Sequence, residues 1–271
     1  RDEKKKKKKN FYFHYIYKIN TKNIMKTIVI LFLLSFADKN TPQNIEKLYY
    51  SEKNDFSVLV FTKTNGFVHG KAIEAGKNLI TKIGKEKKFN VDHTNNSKHI
   101  NKKNIIKYKS IIFLNTTLDV LNNEEQNVFK KYIQDGGGFV GVHSAADTEY
   151  NWEWYGKLVG AYFKSHPKVQ KAKIQTIKKN HISTSHLKNE WEIEDEWYNY
   201  NNINPNIIVL LNLDETSYKG GENGKKHPIT WYHNYDGGKS FYTGLGHNPE
   251  VYSDERFIKL LAGGILYASK H

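Results

Sequence analysis

The sequence of 271 residues predicts a doubly wound α/β fold with a mostly parallel sheet, and three observations carry that expectation. Its first half alternates in the order strand, helix, short strand, strand, helix, strand, which is how parallel strands joined by crossover helices read. Residues 136–147 (GGGFVGVHSAAD) form an apolar strand that turns tightly into a helix. Within that turn Gly141 and Ala145 stand at minus two and plus two from His143. This is the spacing of a nucleophile elbow, where a strained turn lifts one side chain above the carboxyl end of a parallel sheet.

Each element has a local reason. Residues 56–61 (FSVLVF) are a buried strand followed by the turn Thr64-Asn65-Gly66, and helical spacing over 73–83 stops at Gly84. Phe89-Asn90-Val91 makes a short second strand, and 110–114 makes a third that ends in polar Asn115-Thr116-Thr117. Residues 122–134 form a helix capped by Asn122, with Glu124 and Glu125 complementing the dipole in its first turn. The glycines at 136–138 terminate it, and 139–142 is the fourth strand. Ligands of such sheets sit beyond the carboxyl ends of the strands, so the 64–66 turn, 115–117 and His143 are expected on one rim. Further along, 152–159 reads as a short helix, 172–177 as an exposed strand and 207–213 as a buried one. Residues 228–232 and 240–243 flank Asp236-Gly237-Gly238 as a hairpin. A closing helix over 257–268 contains Gly263-Gly264, which permits close packing.

Composition bounds the rest. Met25 is the sole methionine; Met25-Lys26 opens an apolar run over 27–34, and Ser35-Phe36-Ala37 supplies small residues for cleavage. That is the pattern of a secretory signal, too short to span a bilayer. Residues 1–24, with Lys4 to Lys9 in a row, read as sequence upstream of a start at Met25, a nucleic-acid-binding arm being the alternative. The expected organisation is therefore 1–37 removed, 38–55 a polar leader and 56–271 one domain. The location would be periplasmic or secreted, with no stable membrane anchor after cleavage. Beyond residue 37 the net charge is only +6, an ordinary surface that argues against a nucleic-acid partner. The chain has no cysteine, which excludes disulfides, thiolate metal sites and cysteine nucleophiles.

Candidate chemistry rests on histidines beside turns and aromatics: His69, His143, His166, His227, His233 and His247. Two acidic pairs accompany them, Asp195-Glu196 and Asp214-Glu215. Trp191, Trp197, Tyr198 and Tyr200 surround the first pair, a composition suited either to a sugar site or to an aromatic core with surface acids. His247 lies in Gly244-Leu245-Gly246-His247, where glycines let backbone approach a ligand.

The segments 138–148 (GFVGVHSAADT), 154–163 (WYGKLVGAYF), 195–198 (DEWY), 227–233 (HPITWYH) and 238–247 (GKSFYTGLGH) resemble the trehalose-utilisation, or ThuA-like, family. The resemblance runs from about residue 56 to residue 269. It implies membership of the class I glutamine amidotransferase-like superfamily and a flavodoxin-like three-layer α/β/α sandwich. Relatives in that superfamily place cysteine at the elbow and a histidine and glutamate in a late loop; here His143 holds the elbow, and His247 and Glu250 stand one residue further apart. Glutamine hydrolysis through a thioester is thereby excluded, and Ser144 is one position off the elbow. The family connection implies a carbohydrate as partner, a disaccharide or modified keto sugar, acted on by a hydrolase, lyase or isomerase. The alternative is a non-catalytic sugar-binding module on the same fold. His143, His247 and Glu196 are the expected catalytic groups, with Asp195, Trp197, Tyr198, His233, Asn115 and Ser144 as the expected binding residues. The cofactor stays open: a histidine–carboxylate site fits zinc or another borderline divalent metal, although no HxH or HExxH spacing supports it.

Overall fold

A computed structural model describes residues 56–270. The expected signal segment and polar leader lie outside the described residues. No helix among the described residues is long and apolar enough to cross a membrane.

Strands β1 (Ser57–Phe61), β2 (Asn90–Thr94), β3 (Tyr108–Leu114) and β4 (Gly138–Val142) alternate with helices α1 (Gly70–Lys87), α2 (Lys102–Ile105) and α3 (Asn123–Gln134). Helix α4 (Glu153–Val159) and strands β5 (Tyr162–Ser165), β6 (Gln170–Thr176), β7 (Glu190–Asp195), β8 (Asn199–Asn201) and β9 (Ile208–Leu213) follow. Strands β10 (His227–Tyr235) and β11 (Gly238–Thr243) form the expected hairpin, and α5 (Glu255–Ser269) closes the chain. The main sheet has nine strands in the order β2-β1-β3-β4-β11-β10-β9-β6-β7, while β5 pairs separately with β8. From β2 to β11 all neighbours are parallel, and from β11 to β7 all are antiparallel. Seven strands consequently point one way, with only β6 and β10 reversed.

Strand parity shows the three layers. On β3, Phe113 packs on Phe129 of α3 and Tyr155 of α4. Its neighbour Leu114 meets α1 at Gly76, and Ser110 Oγ lies 2.8 Å from Ser269 Oγ of α5. Helices α1 and α5 therefore cover one face, and α3 and α4 the other, as the resemblance implied. The expected helix cap is present: Asn122 accepts from the Glu125 amide while Glu125 reaches back to the Asn122 amide, a pairing worth about 1 kcal/mol. Close packing explains Gly264, where a Cβ would lie 2.4 Å from the Phe241 ring.

Two local expectations change, and one strand was not foreseen. Helix α1 continues past Gly84 to Lys87 and ends on left-handed Lys88; Gly84 is small because Val91 and the Phe89 carbonyl press against it. The elbow passes into a 3-10 turn, His143–Asp147, rather than an α-helix. Strand β7 did not stand out in the sequence, because its charged residues alternate with buried Trp191 and Asp195.

The antiparallel half curls back over the parallel one. Strand β7 is four places from β11 in the sheet, yet Asp195 at its end accepts hydrogen bonds from the amides of Gly246 (2.7 Å) and Asn248 (2.9 Å) in the loop after β11. An edge strand thus delivers its carboxyl end to the centre of the rim.

Candidate functional site

Five rim segments build the site, each just past the carboxyl end of a strand. His143 follows β4 with φ of +49°, the left-handed strain that the elbow spacing predicts. Gly141 and Ala145 are small because a Cβ on Gly141 would come within 3.2 Å of the Ala145 Cβ and 2.9 Å of the Tyr242 ring. The Tyr242 hydroxyl donates to the His143 carbonyl at 2.7 Å and holds the turn. His69 follows β1 at the start of α1, and the Thr64-Asn65-Gly66 turn is tied to Thr117 after β3 by two amide hydrogen bonds. Glu196 follows β7, and His247 follows β11.

These side chains converge. His143 Nε2 lies 3.3 Å and His247 Nδ1 3.2 Å from the same oxygen, Glu196 Oε2. The other oxygen, Oε1, lies 3.0 Å from His166 Nδ1, which is also 2.9 Å from the Pro167 carbonyl. The His69 ring sits edge-on to both imidazoles, at 5.0 Å from His143 and 5.1 Å from His247. One donor atom from each of His69, His143, His247 and Glu196 lies within 4.8 Å of every other, a spacing at which these four described residues could hold a metal ion.

Burial sets the electrostatics. His143 is fully buried and its ring packs 4.2 Å from that of Tyr198. Its Nδ1 is 2.9 Å from the Gly244 carbonyl; a carbonyl only accepts, so Nδ1 carries a proton and Nε2 is the atom turned to Glu196. Burial alone would raise the Glu196 carboxyl, but the facing His143 and His247 hold it well below its usual range. Burial lowers His247, yet Glu196 outweighs this and raises it overall. His69 is pushed down to about 3 by burial and by its neighbours His143 and His247. Asp147, on the rim beside these groups, is raised by burial while the Tyr150 hydroxyl donates to it.

The structure sorts the expected residues. It brings His143, His247 and Glu196 together, with Tyr198 against His143 and Ser144 Oγ 3.4 Å from His69 Nδ1. Asp195 accepts the amides on either side of His247, one on each oxygen, and so holds that loop in place. Asn115 also supports the loop, donating to the Gly246 carbonyl at 3.0 Å. Trp197 points into the core, fully buried, with its indole N–H donating to the Gln170 carbonyl. His233 lies on β10 opposite Ser240, away from the rim, and bonds the Lys157 carbonyl. Glu250 is exposed, and the carboxylate that faces His247 is Glu196.

Sequence reasoning marked His69 and His166 among the candidate histidines but gave neither them nor Asp147 a place in the site. Asp147 closes the elbow motif, so its position was available; the two histidines were marked by neighbouring turns and aromatics, which do not say where a ring will point.

A family model described as ThuA, trehalose utilisation, matches residues 57–268. No curated protein matches the sequence. A ThuA-like protein from Bacteroides uniformis superposes with a TM-score of 0.67 at 25% identity, covering 77% of this chain and 89% of that one. A ThuA-like protein from Parabacteroides merdae gives 0.65 at 18% identity, covering 80% and 91%. A β-galactosidase from Bacillus circulans shares the fold at a TM-score of 0.52 and 11% identity, over 78% of this chain and 30% of that one.

Proposed function

The chain belongs to the ThuA (trehalose utilisation) family, and from that premise we propose that it processes a carbohydrate, a disaccharide or its keto form, at the centre around Glu196. One observation carries the reading: a single buried carboxylate oxygen faces two imidazoles, 3.3 and 3.2 Å away, above a parallel sheet. Such a centre can hold or move a proton at a sugar hydroxyl, or polarise a sugar carbonyl, in hydrolysis, elimination or isomerisation. A keto group acidifies the adjacent C–H bond, which makes proton removal by a histidine–glutamate centre the natural first step on an oxidised sugar. The surroundings suit that substrate. Phe67 (68% exposed) packs edge-on to His69, and Leu118 and Tyr150 are exposed beside Asp147, offering apolar surface to the C–H face of a pyranose ring. Asp147 and His166 stand at the mouth, where hydroxyls would meet them. The signal-like run at 25–37 supports action outside the cytoplasm.

The test is consumption of trehalose and of its keto form, followed by proton NMR, for the wild type and Glu196→Gln. The expected result is turnover of one of them and a loss of about 10³-fold in the variant, of the size that removing a central acid–base group gives, with affinity changed less than about tenfold. Binding without turnover in the wild type would reduce the protein to a sugar-binding module. Full activity in Glu196→Gln would place the chemistry elsewhere.

A further inference from the structure

We infer that the centre is a binding site for one borderline divalent transition-metal ion, with zinc or cobalt(II) the best match, held by His69, His143, His247 and Glu196. The inference deepens the reading of this centre given above, but its evidence is independent of any sugar.

The first observation is a set of buried atoms with nothing to bond. His143 Nε2 and His247 Nδ1 have no hydrogen-bond partner, although both are shielded from solvent and each faces Glu196 Oε2 at hydrogen-bond range. With its proton on Nδ1, a neutral His143 presents a lone pair from Nε2 to the lone pairs of a carboxylate. A cation between them relieves that repulsion, and a metal ion, unlike one proton, can meet Glu196 Oε2, His143 Nε2 and His247 Nδ1 together. Neither imidazole completes a geometric hydrogen bond to that oxygen, which favours a metal ion over a shared proton. An ion has no such directional demand toward one partner.

Spacing is the second observation. Zinc bonds nitrogen and oxygen at about 2.0–2.1 Å, so donors at adjacent corners of a tetrahedron lie about 3.4 Å apart. The observed separations are 3.3 and 3.2 Å, and all four donor atoms fall within 4.8 Å of one another. Three imidazoles and one carboxylate, without thiolate, select zinc, cobalt or a similar ion over magnesium or calcium, which prefer oxygen.

The third observation is the outer layer. A ligating histidine usually has its second nitrogen held by a carbonyl, hydroxyl or carboxylate, which fixes its orientation. Here His143 Nδ1 is held by the Gly244 carbonyl and His69 Nδ1 lies 3.4 Å from Ser144 Oγ. Glu196 Oε1 faces His166, leaving Oε2 for the ion, and Asp195 clamps the backbone on both sides of His247. Every ligand therefore has a support that is not itself a ligand.

The experiment strips the purified full chain with a chelator and titrates it separately with Zn²⁺, Co²⁺, Mg²⁺ and Ca²⁺ by calorimetry. The expected result is one equivalent of Zn²⁺ or Co²⁺ with Kd below about 1 µM and no tight uptake of Mg²⁺ or Ca²⁺. The Co²⁺ form should show the intense visible bands of four- or five-coordination. Glu196→Gln and His69→Gln, each with a native circular dichroism spectrum, should weaken binding by about 100-fold or more, and Ser144→Ala by about tenfold. Absence of tight binding in the wild type overturns the proposal. So does undiminished binding in both ligand variants, which would mark an adventitious surface site. Tight binding without sugar turnover would sink only the carbohydrate reading; sugar turnover without tight metal uptake would sink only the metal.

Discussion

Two fully buried histidines each face a glutamate in this protein, and their surroundings differ in a way that separates scaffold from site. His227 Nε2 bonds the Tyr198 carbonyl at 2.8 Å, and its Nδ1 meets Glu215 at 2.8 Å and the Tyr218 hydroxyl at 3.1 Å. Glu215 also accepts the amides of Asn223 and Gly224, so that pair closes a loop and leaves nothing over. His143 bonds through one nitrogen only, and its second nitrogen converges with His247 on Glu196. A solitary unbonded ring nitrogen is not the distinguishing mark, because His181 and His233 each carry one. What distinguishes the rim is that such atoms meet at one carboxylate.

The contrast is sharpest in a pair of alanine substitutions. His143→Ala should lower turnover by about 10³-fold or more, the scale of losing a general acid–base or ligating group, while the thermal midpoint shifts by a few degrees. His227→Ala should do the reverse. Leaving the Tyr198 carbonyl and Glu215 without their partner costs about 3 kcal/mol. In a domain of this size that lowers the midpoint by roughly 6–12 °C, with kcat of the folded protein within about threefold of wild type. If His227→Ala instead silences a fully folded enzyme, the distinction between the two pairs fails. A smaller effect is expected behind the site: Asp195→Asn loosens the clamp on the His247 loop and should cut kcat by about 10- to 100-fold, comparable to losing a supporting residue of a metal or catalytic group, with KM little changed.

An effect seen only in acid concerns the isolated case. Burial pushes His181 down to about 3, with Lys178 adding to the shift. The folded state therefore keeps this ring neutral where the unfolded chain, with an ordinary value of 6.5, takes up a proton. Its effect is absent well above pH 6.5; as pH falls from there toward 3, stability declines by up to about 1.4 kcal/mol per unit from this residue. Urea melts between pH 7 and 4 should show a shallower decline in His181→Asn than in the wild type. Identical slopes would mean that other groups govern the acid limb.

Local signals carried much of this into the sequence. The elbow was legible because Gly141 and Ala145 must be small for His143 to rise between them, and the α3 cap because Asn122 and Glu125 sit at fixed spacing. The hairpin was legible from Asp236-Gly237, both with positive φ. The curl of the antiparallel half was not, since it depends on Asp195 meeting amides some fifty residues away. A trace of it was present: Trp191, Ile193 and Asp195 share one parity of β7, so an acid occupies a position where the alternation calls for an apolar residue. Trp197 drew attention as an aromatic beside carboxylates, but chain direction after β7 sends it inward to Gln170. The sequence gives composition around a residue, whereas the direction of a side chain is decided by tertiary packing.

The four converging side chains come from residues 69, 143, 196 and 247, and the last is carried on the loop after β11 that the end of β7 clamps. A chain arrested before that closure has three of the four and no centre. Whatever the centre binds will therefore recognise the finished molecule alone, and at a hundredfold excess over its Kd would deepen the native well by about 2.7 kcal/mol. Occupancy then tightens the last closure of the fold, because the ligand holds together segments that the chain itself joins only at the end.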